Sequence, residues 1–333
     1  MKLENSIGWC DATTNAVTGC DKVSPGCKNC YAEAGTRARV LRAQGKETWG
    51  TKGVREPVNF EPVFRRLDNL WICDNCHECY QHGNDDCPKR ECFDSKLRRI
   101  RLFADSNSDW LDPKWPIGTL ARFLGAIRLA PNVDVQLLTK RIELFQNRLL
   151  SVEACLVATW LDDQREGLLL WIDDWMKGHA PKHVWLGVSV EDQKRVDERI
   201  PMLLKTPAAI RFLSVEPLLE STNLFQAFGP SGNPASPRGV DWVIVGGESG
   251  KNRRDCGVEV IESVVLQCAN AGVPVYCKQD VAFKSSQKGR LSDNAWSFKQ
   301  FPVAGADESK PCLSARQYRP LGPVDQRRQR TTH

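Results

Sequence analysis

The sequence predicts an α/β protein built on a parallel sheet, a partial TIM-type βα barrel with a cysteine-rich metal-binding insertion. Three observations lead there. From residue 100 onward, short apolar strands alternate with amphipathic helical segments. The strands are near-continuous β-branched and aromatic runs, as parallel strands covered on both faces require. Residues 71–95 break this rhythm with five cysteines and almost no apolar content.

In chain order, a first strand is expected near Ser6-Ile7-Gly8-Trp9. Six more read RIRLFADS (99–106), VDVQLLTK (133–140), HVWLGVSVE (183–191), AIRFLSVEP (209–217), VDWVIVGGE (240–248) and VPVYCKQ (273–279). Between them lie helical stripes: Leu120, Phe123, Leu124 and Ile127 in 118–130, then Val196, Ile200, Leu203 and Leu204 in 191–204. Val260, Val264, Cys268 and Ala271 form a third in 258–271. Residues 156–178 predict an added helix with Leu168, Ile172, Trp175 and Met176 on its apolar face, and GPSGNPASPRG (229–239) a flexible loop. A doubly wound open sheet is the alternative, since periodicity does not separate it from a barrel. The domain is expected over 1–320, with the insertion 71–95 inside it and a basic, disordered tail over 321–333.

The longest apolar run, LLLWI (168–172), falls far short of the ~18 residues that span a bilayer. MKLENSIGW lacks the apolar stretch of a secretory leader. A cytoplasmic protein without a membrane partner is expected. In a reducing compartment clustered cysteines read as metal ligands rather than disulfides. The scattered Cys10, Cys155, Cys256, Cys268, Cys277 and Cys312 read mostly as small buried apolar residues. The net charge of +5 permits a nucleic-acid partner without demanding one.

Ligands of parallel α/β folds bind outside the carboxyl ends of the strands. Those ends are strongly polar here. They carry Asp105, Ser106, Asn107 and Asp109, then Thr139, Lys140 and Arg141, then Ser189 and Glu191. Ser214, Glu216 and Pro217 follow, then Gly246, Gly247 and Glu248, and finally Lys278 and Gln279. The set suits a polar cofactor bearing an ammonium group, ribose hydroxyls and an adenine edge. The competing explanation is a ring of salt bridges joining Lys140 and Lys278 to the three glutamates. The glycine pair permits close backbone approach, and a tight turn explains it equally well.

TGCDKVSPGCKNCYAE (18–33) places Cys20, Cys27 and Cys30 on one loop that Pro25, Gly26 and Asn29 make tight. Three thiolates on a cubane iron–sulfur cluster leave one iron without a protein ligand. With Cys10 as a fourth thiolate the same loop closes a structural zinc site. The residues alone leave both open.

The stretches DATTNAVTGCDKVSPGCKNCYAE, LLTKR (137–141), VWLGVSVEDQ (184–193), RFLSVEPLL (211–219), DWVIVGGESG (241–250) and VPVYCKQ resemble a phage-borne family of three-Cys-motif proteins. That family is similar to divergent radical S-adenosylmethionine enzymes. The resemblance implies a [4Fe-4S] cluster on Cys20, Cys27 and Cys30, with S-adenosylmethionine (SAM) across the strand ends. The strand-end residues expected to hold the cofactor are Ser106, Asn107, Thr139, Lys140, Ser189, Glu191, Glu216, Gly246, Gly247, Glu248 and Lys278, and by position Ser189 and Glu191 look like the ribose contacts. The resemblance also implies a 5′-deoxyadenosyl radical, a reductant such as flavodoxin or ferredoxin, and a substrate that is left open, a nucleotide or nucleic-acid base among the candidates. The superfamily's common spacing is C-x3-C-x2-C, whereas the first gap here is six residues.

CDNCHECYQHGNDDC (73–87) and PKREC supply Cys73, Cys76, Cys79, Cys87 and Cys92, with His77 and His82. Four thiolates this close suffice for a structural Zn2+ site, favoured over an auxiliary iron–sulfur cluster; which four of the five is open. A rival function follows: a non-enzymatic zinc protein that binds nucleic acid through two structural sites. A metal-assisted hydrolase ranks last, because none of the five histidines falls at the carboxyl end of a strand.

Overall fold

The computed structural model describes residues 3, 7–81, 86–92, 95–158, 162–229 and 239–302. Its strands are β1 (Ala12–Thr14), β2 (Val17–Thr18), β3 (Glu56–Pro57), β4 (Leu70–Cys73), β5 (Cys79–Gln81), β6 (Leu97–Ala104), β7 (Val133–Thr139), β8 (Val184–Ser189), β9 (Ile210–Val215), β10 (Trp242–Gly246) and β11 (Val275–Gln279). Its helices are α1 (Tyr31–Ala34), α2 (Thr36–Ala43), α3 (Glu61–Asp68), α4 (Ile117–Arg128), α5 (Phe145–Val157), α6 (Asp163–Met176), α7 (Gln193–Lys205), α8 (Val258–Ala271) and α9 (Asp293–Ser297).

The expected apolar runs become the parallel strands β6 to β11, which lie side by side in sequence order. β1 pairs in parallel with the upper half of β6, from Ala12 against Leu102 to Thr14 against Ala104. β4 pairs antiparallel with the lower half of the same edge, from Trp71 against Arg99 to Cys73 against Leu97. The first strand is therefore β1, a few residues beyond the expected position near Trp9.

Strands in sequence order put successive right-handed crossovers on one face. Helices α4 to α8 supply that cover, and each element is amphipathic accordingly. Val133, Val135 and Leu137 of β7 join the large core beneath them, together with Leu120, Phe123, Leu124 and Ile127 of α4. Asp192 caps α7, its side chain accepting the Arg195 N–H at 2.9 Å, and left-handed Gly272 ends α8. The added helix is α6, burying Leu168, Ile172 and Trp175 as expected.

The opposite face needs other cover, and aromatic residues provide it. Trp9 lies 4.6 Å from the ring of Phe103 on β6 and 6.2 Å from that of Trp242 on β10. Four strand spacings in a flat sheet would separate β6 from β10 by roughly 19 Å. One tryptophan reaches both only because the sheet curls strongly. Phe301 works likewise, packed at a tilt against Trp242 and Tyr276 while the guanidinium of Arg101 sits 3.5 Å over its ring. The curl stops short of closure. No backbone pairing joins β11 to β1 or β6 among the described residues, so the sheet is open and mostly parallel, and a TIM barrel is not formed.

The cysteine-rich segment is a hairpin, β4 and β5, continued onto β6 as the antiparallel edge of this sheet. No helix among the described residues is long and apolar enough to cross a membrane. Of the scattered cysteines, Cys10, Cys268 and Cys277 are buried and Cys155 and Cys256 half-buried. Cys312, His82, most of the 229–239 loop and the 321–333 tail lie outside the described residues.

Candidate functional site

Cys20, Cys27 and Cys30 ride on the loop that follows β2. Gly19 opens it at φ +120°, with Thr48 packed where a Cβ would stand. Pro25 starts a single 3-10 turn through Cys27, closed by Cys27 N–H to Ser24 C=O at 3.0 Å. Cys30 then leads into α1. The loop lies across the carboxyl ends of the parallel strands, and two of the glutamates singled out from the sequence hold it there.

Glu191, just past β8, is fully buried beneath the loop. It accepts from the Ser24 hydroxyl, from the Gly26 N–H at 3.3 Å and from Arg199 at 2.9 Å, with Lys140 Nζ at 3.6 Å. A Cβ on Gly26 would stand 2.8 Å from its Oε1. Burial opposes ionisation of Glu191, but Lys140, Arg199 and Ser24 outweigh it and hold the carboxyl below its ordinary value. Glu248, just past β10, accepts from Asn29 Nδ2 at 3.0 Å and from Arg254 Nε at 2.9 Å. Arg254 also donates to the Pro25 carbonyl at 3.0 Å. Both sides of the 3-10 turn are thus tied to strand ends.

Cys20 faces Arg141, whose Nη1 lies 3.6 Å from the sulfur and 2.8 Å from Asp109 Oδ2. Burial pushes the Cys20 thiol up to about 12, with Asp109 adding and Arg141 opposing, and burial raises Cys30 as well. Thiols so placed ionise when a metal cation takes the place of the proton.

Beneath the loop opens a cleft of about 880 Å³. All three cysteines line it, as do Ser106, Asn107, Thr139, Lys140, Ser189, Glu216, Gly247, Glu248 and Lys278. Glu191 and Gly246 do not; they stand behind its wall. The expected salt bridges also form: Lys278 lies 3.1 Å from Glu216, and Lys140 pairs with Glu191. The glycine pair answers to packing, because a Cβ on Gly246 would meet Glu216 at 2.6 Å and one on Gly247 would meet Val281 at 2.5 Å. Ser106 Oγ and the Asn107 N–H both bond to Asn15 Oδ1, at 3.0 and 2.7 Å. Thr139 Oγ1 donates to Asp109 at 2.7 Å. Burial raises Asp105, which accepts from Ser108 and the Ala16 N–H, to about 7.

Sequence reasoning missed Asn15, Ser24, Asn29 and Arg254 as site residues. Ser24 and Asn29 sit within the cysteine motif and Asn15 in the stretch just before it, which was the available signal; Arg254 carried none.

The second cysteine group converges more tightly. The sulfurs of Cys73, Cys76, Cys87 and Cys92 all lie within 4.8 Å of one another, Cys76 and Cys87 at 3.8 Å. A tetrahedral ion with Zn–S near 2.3 Å requires sulfurs about 3.8 Å apart. The donor set therefore fits a single ion, and the group can bind a metal. Cys79 is left out. It sits on β5 opposite Ile72, and strand alternation turns it into the main core while Tyr80 faces the thiols. The Asn75 N–H points at Cys73 Sγ from 3.4 Å, an outer bond that suits a ligating thiolate. Burial opposes ionisation of Cys76, yet donors from the Glu78 backbone, Tyr80, Cys92 and Cys73 bring it down to about 7. Among the described residues Cys20, Cys27 and Cys30 form no such close-packed group, and Cys10 packs with Trp9 and Phe103 in the aromatic cluster instead.

No curated protein and no solved structure matches the chain. One family model does, over residues 4–317, and its description is a protein of unknown function, DUF5131. The match covers nearly the whole chain, which thus belongs to the DUF5131 family.

Proposed function

We propose that this protein is a radical S-adenosylmethionine enzyme whose curled sheet acts as a partial barrel. Cys20, Cys27 and Cys30 would hold a [4Fe-4S] cluster, and the cleft beneath would hold SAM. The observation that carries the reading is one loop bearing three half-buried thiols, anchored across parallel strand ends and opening into a cleft with polar walls. A cluster with one iron free of protein ligands supplies the one-electron cleavage of SAM that yields a 5′-deoxyadenosyl radical.

The chain's own residues would do the rest. Glu191 and Glu248 fix the loop, and Arg141 sets a positive charge against Cys20. Lys278, Glu216, Ser189 and Thr139 would present donors and acceptors to a polar cofactor, while Trp9 and Phe103 add apolar surface to the cleft wall. Cubane ligands sit one per iron and stand further apart than sulfurs around one ion, which agrees with the looser grouping of these three.

The four close thiols favour Zn2+ at the second site, as a staple for a hairpin with little core of its own. Anaerobic reconstitution followed by metal analysis tests both assignments. Wild type should carry about four iron and four sulfide at the first site and one zinc at the second. Cys27→Ala should lose the iron and keep the zinc. Iron-free protein with zinc at both cysteine groups would instead support a zinc-binding module without enzymatic activity.

A further inference from the structure

The cleft contains six carboxylates, yet none offers free negative charge. Asp21 pairs with Lys114 at 2.8 Å, Glu33 with Lys22 at 2.8 Å, and Asp109 with Arg141. Glu216 pairs with Lys278, Glu248 with Arg254, and Asp105 is enclosed by its own donors. The cations at the mouth are different. Lys28, on the cysteine loop, and Lys251, just past β10, line the opening and are exposed, with no carboxylate in ion-pair range among the described residues. Lys284, exposed and next in sequence to the lining Phe283 without lining the cleft itself, likewise has no carboxylate in ion-pair range among the described residues. The unspent charge at the mouth is positive.

Aromatic surface gathers at the same place. Three aromatic rings are exposed among the described residues, and two of them, Tyr31 at 60 % and Phe283 at 63 %, border this cleft. An exposed ring costs apolar hydration unless something stacks on it. Free cations interleaved with open rings match the chemistry of an unpaired nucleic-acid strand: phosphates on lysines, bases on aromatic faces.

We propose that the cleft mouth binds single-stranded nucleic acid, with the backbone on Lys28, Lys251 and Lys284 and bases stacked on Tyr31 and Phe283. As a statement of substrate class this rests on the chemistry proposed above; as a binding surface it needs neither cluster nor turnover.

The test is fluorescence anisotropy of the full-length protein with a labelled strand of about 15 nucleotides, a length that covers one such site. DNA and RNA strands, the matching duplex and adenosine monophosphate are compared at about 50 to 200 mM salt. The strand should bind more tightly than duplex or mononucleotide, and less tightly as salt rises. The Lys28→Ala/Lys251→Ala double variant should lower the salt slope by about 1.4, two single-strand phosphate contacts. Phe283→Ala should weaken binding roughly tenfold, the loss of one stacked base. Lys205→Ala, at the far end of α7, should bind as wild type does. Mouth variants that bind like wild type, or a strand no tighter than the duplex or the mononucleotide, would overturn the proposal. SAM cleavage without strand binding would sink this inference alone; strand binding without cleavage would sink only the chemistry.

Discussion

Glu191→Gln isolates the anchor of the cysteine loop. The side chain is fully buried and serves Ser24, Gly26, Arg199 and Lys140 at once. Glutamine keeps its volume and gives up its charge. Arg199 would then remain buried with the Ser189 carbonyl at 2.8 Å as its remaining strong acceptor. A hydrogen bond to a charged group contributes about 1.5–3 kcal/mol. Removing a partner outright from a buried pair costs about 3–5 kcal/mol. Glutamine retains a carbonyl acceptor, so the expected loss is about 2 kcal/mol at pH 7.

The pH dependence has a definite sign. The folded carboxyl lies below its ordinary value. Its contribution is therefore fully present above the unfolded value near ~4.3, and is lost as pH falls through the folded one. Urea unfolding should show a lower midpoint for the variant at neutral pH, with the gap narrowing below about pH 4. The thiol of Cys27 in metal-free protein should react faster with a thiol reagent, because its loop is released. An unchanged midpoint together with unchanged thiol reactivity would refute the anchoring role.

Three further outcomes are expected. Gly26→Ala should cost about 1–3 kcal/mol in urea melts, since its Cβ meets a glutamate that Arg199 and Lys140 keep from yielding. Cys92→Ser should abolish metal retention at the second site and expose the β4–β5 hairpin to proteolysis, whereas Cys79→Ser should keep the metal; equal loss from both would contradict the four-thiol set. Asp105, raised to about 7 by burial, holds a proton in the folded chain that the unfolded chain releases above ~3.8. The Asp105 contribution to stability should thus fall as pH rises from about 4 to 7, by up to about 1.4 kcal/mol per pH unit, read as the difference in urea unfolding between wild type and Asp105→Asn across that range.

The strands were legible because parallel strands covered on both faces leave long apolar runs. VDVQLLT and VWLGVS could hardly be anything else, and both occur within a residue or two of the expected bounds. Helix α5 shows the same kind of stripe, in Phe145, Leu149, Val152 and Leu156. The curl was not legible. It depends on Trp9 and Phe301 touching strands far away in sequence, and only Trp9's own neighbourhood looked like a strand. The strand-end residues were grouped by the rule that parallel sheets bind ligands at their carboxyl ends, and most of them line one cleft, whereas Glu191 and Gly246 do not. Their division of labour was hidden, because Glu191 and Glu248 bond to a loop some 165 or 219 residues earlier in the chain. Which cysteine of the second group stands aside was likewise fixed by strand alternation at Cys79, a register that spacing alone does not give.

On the proposed function, the loop of Cys20, Cys27 and Cys30 would make this an enzyme acting on SAM. The direct measurement is 5′-deoxyadenosine formed by anaerobically reconstituted, chemically reduced protein given SAM. Wild type and Cys79→Ser should form it steadily, and Cys27→Ala should form none. No 5′-deoxyadenosine from a wild-type protein whose iron and sulfide are fully loaded would contradict the proposed function.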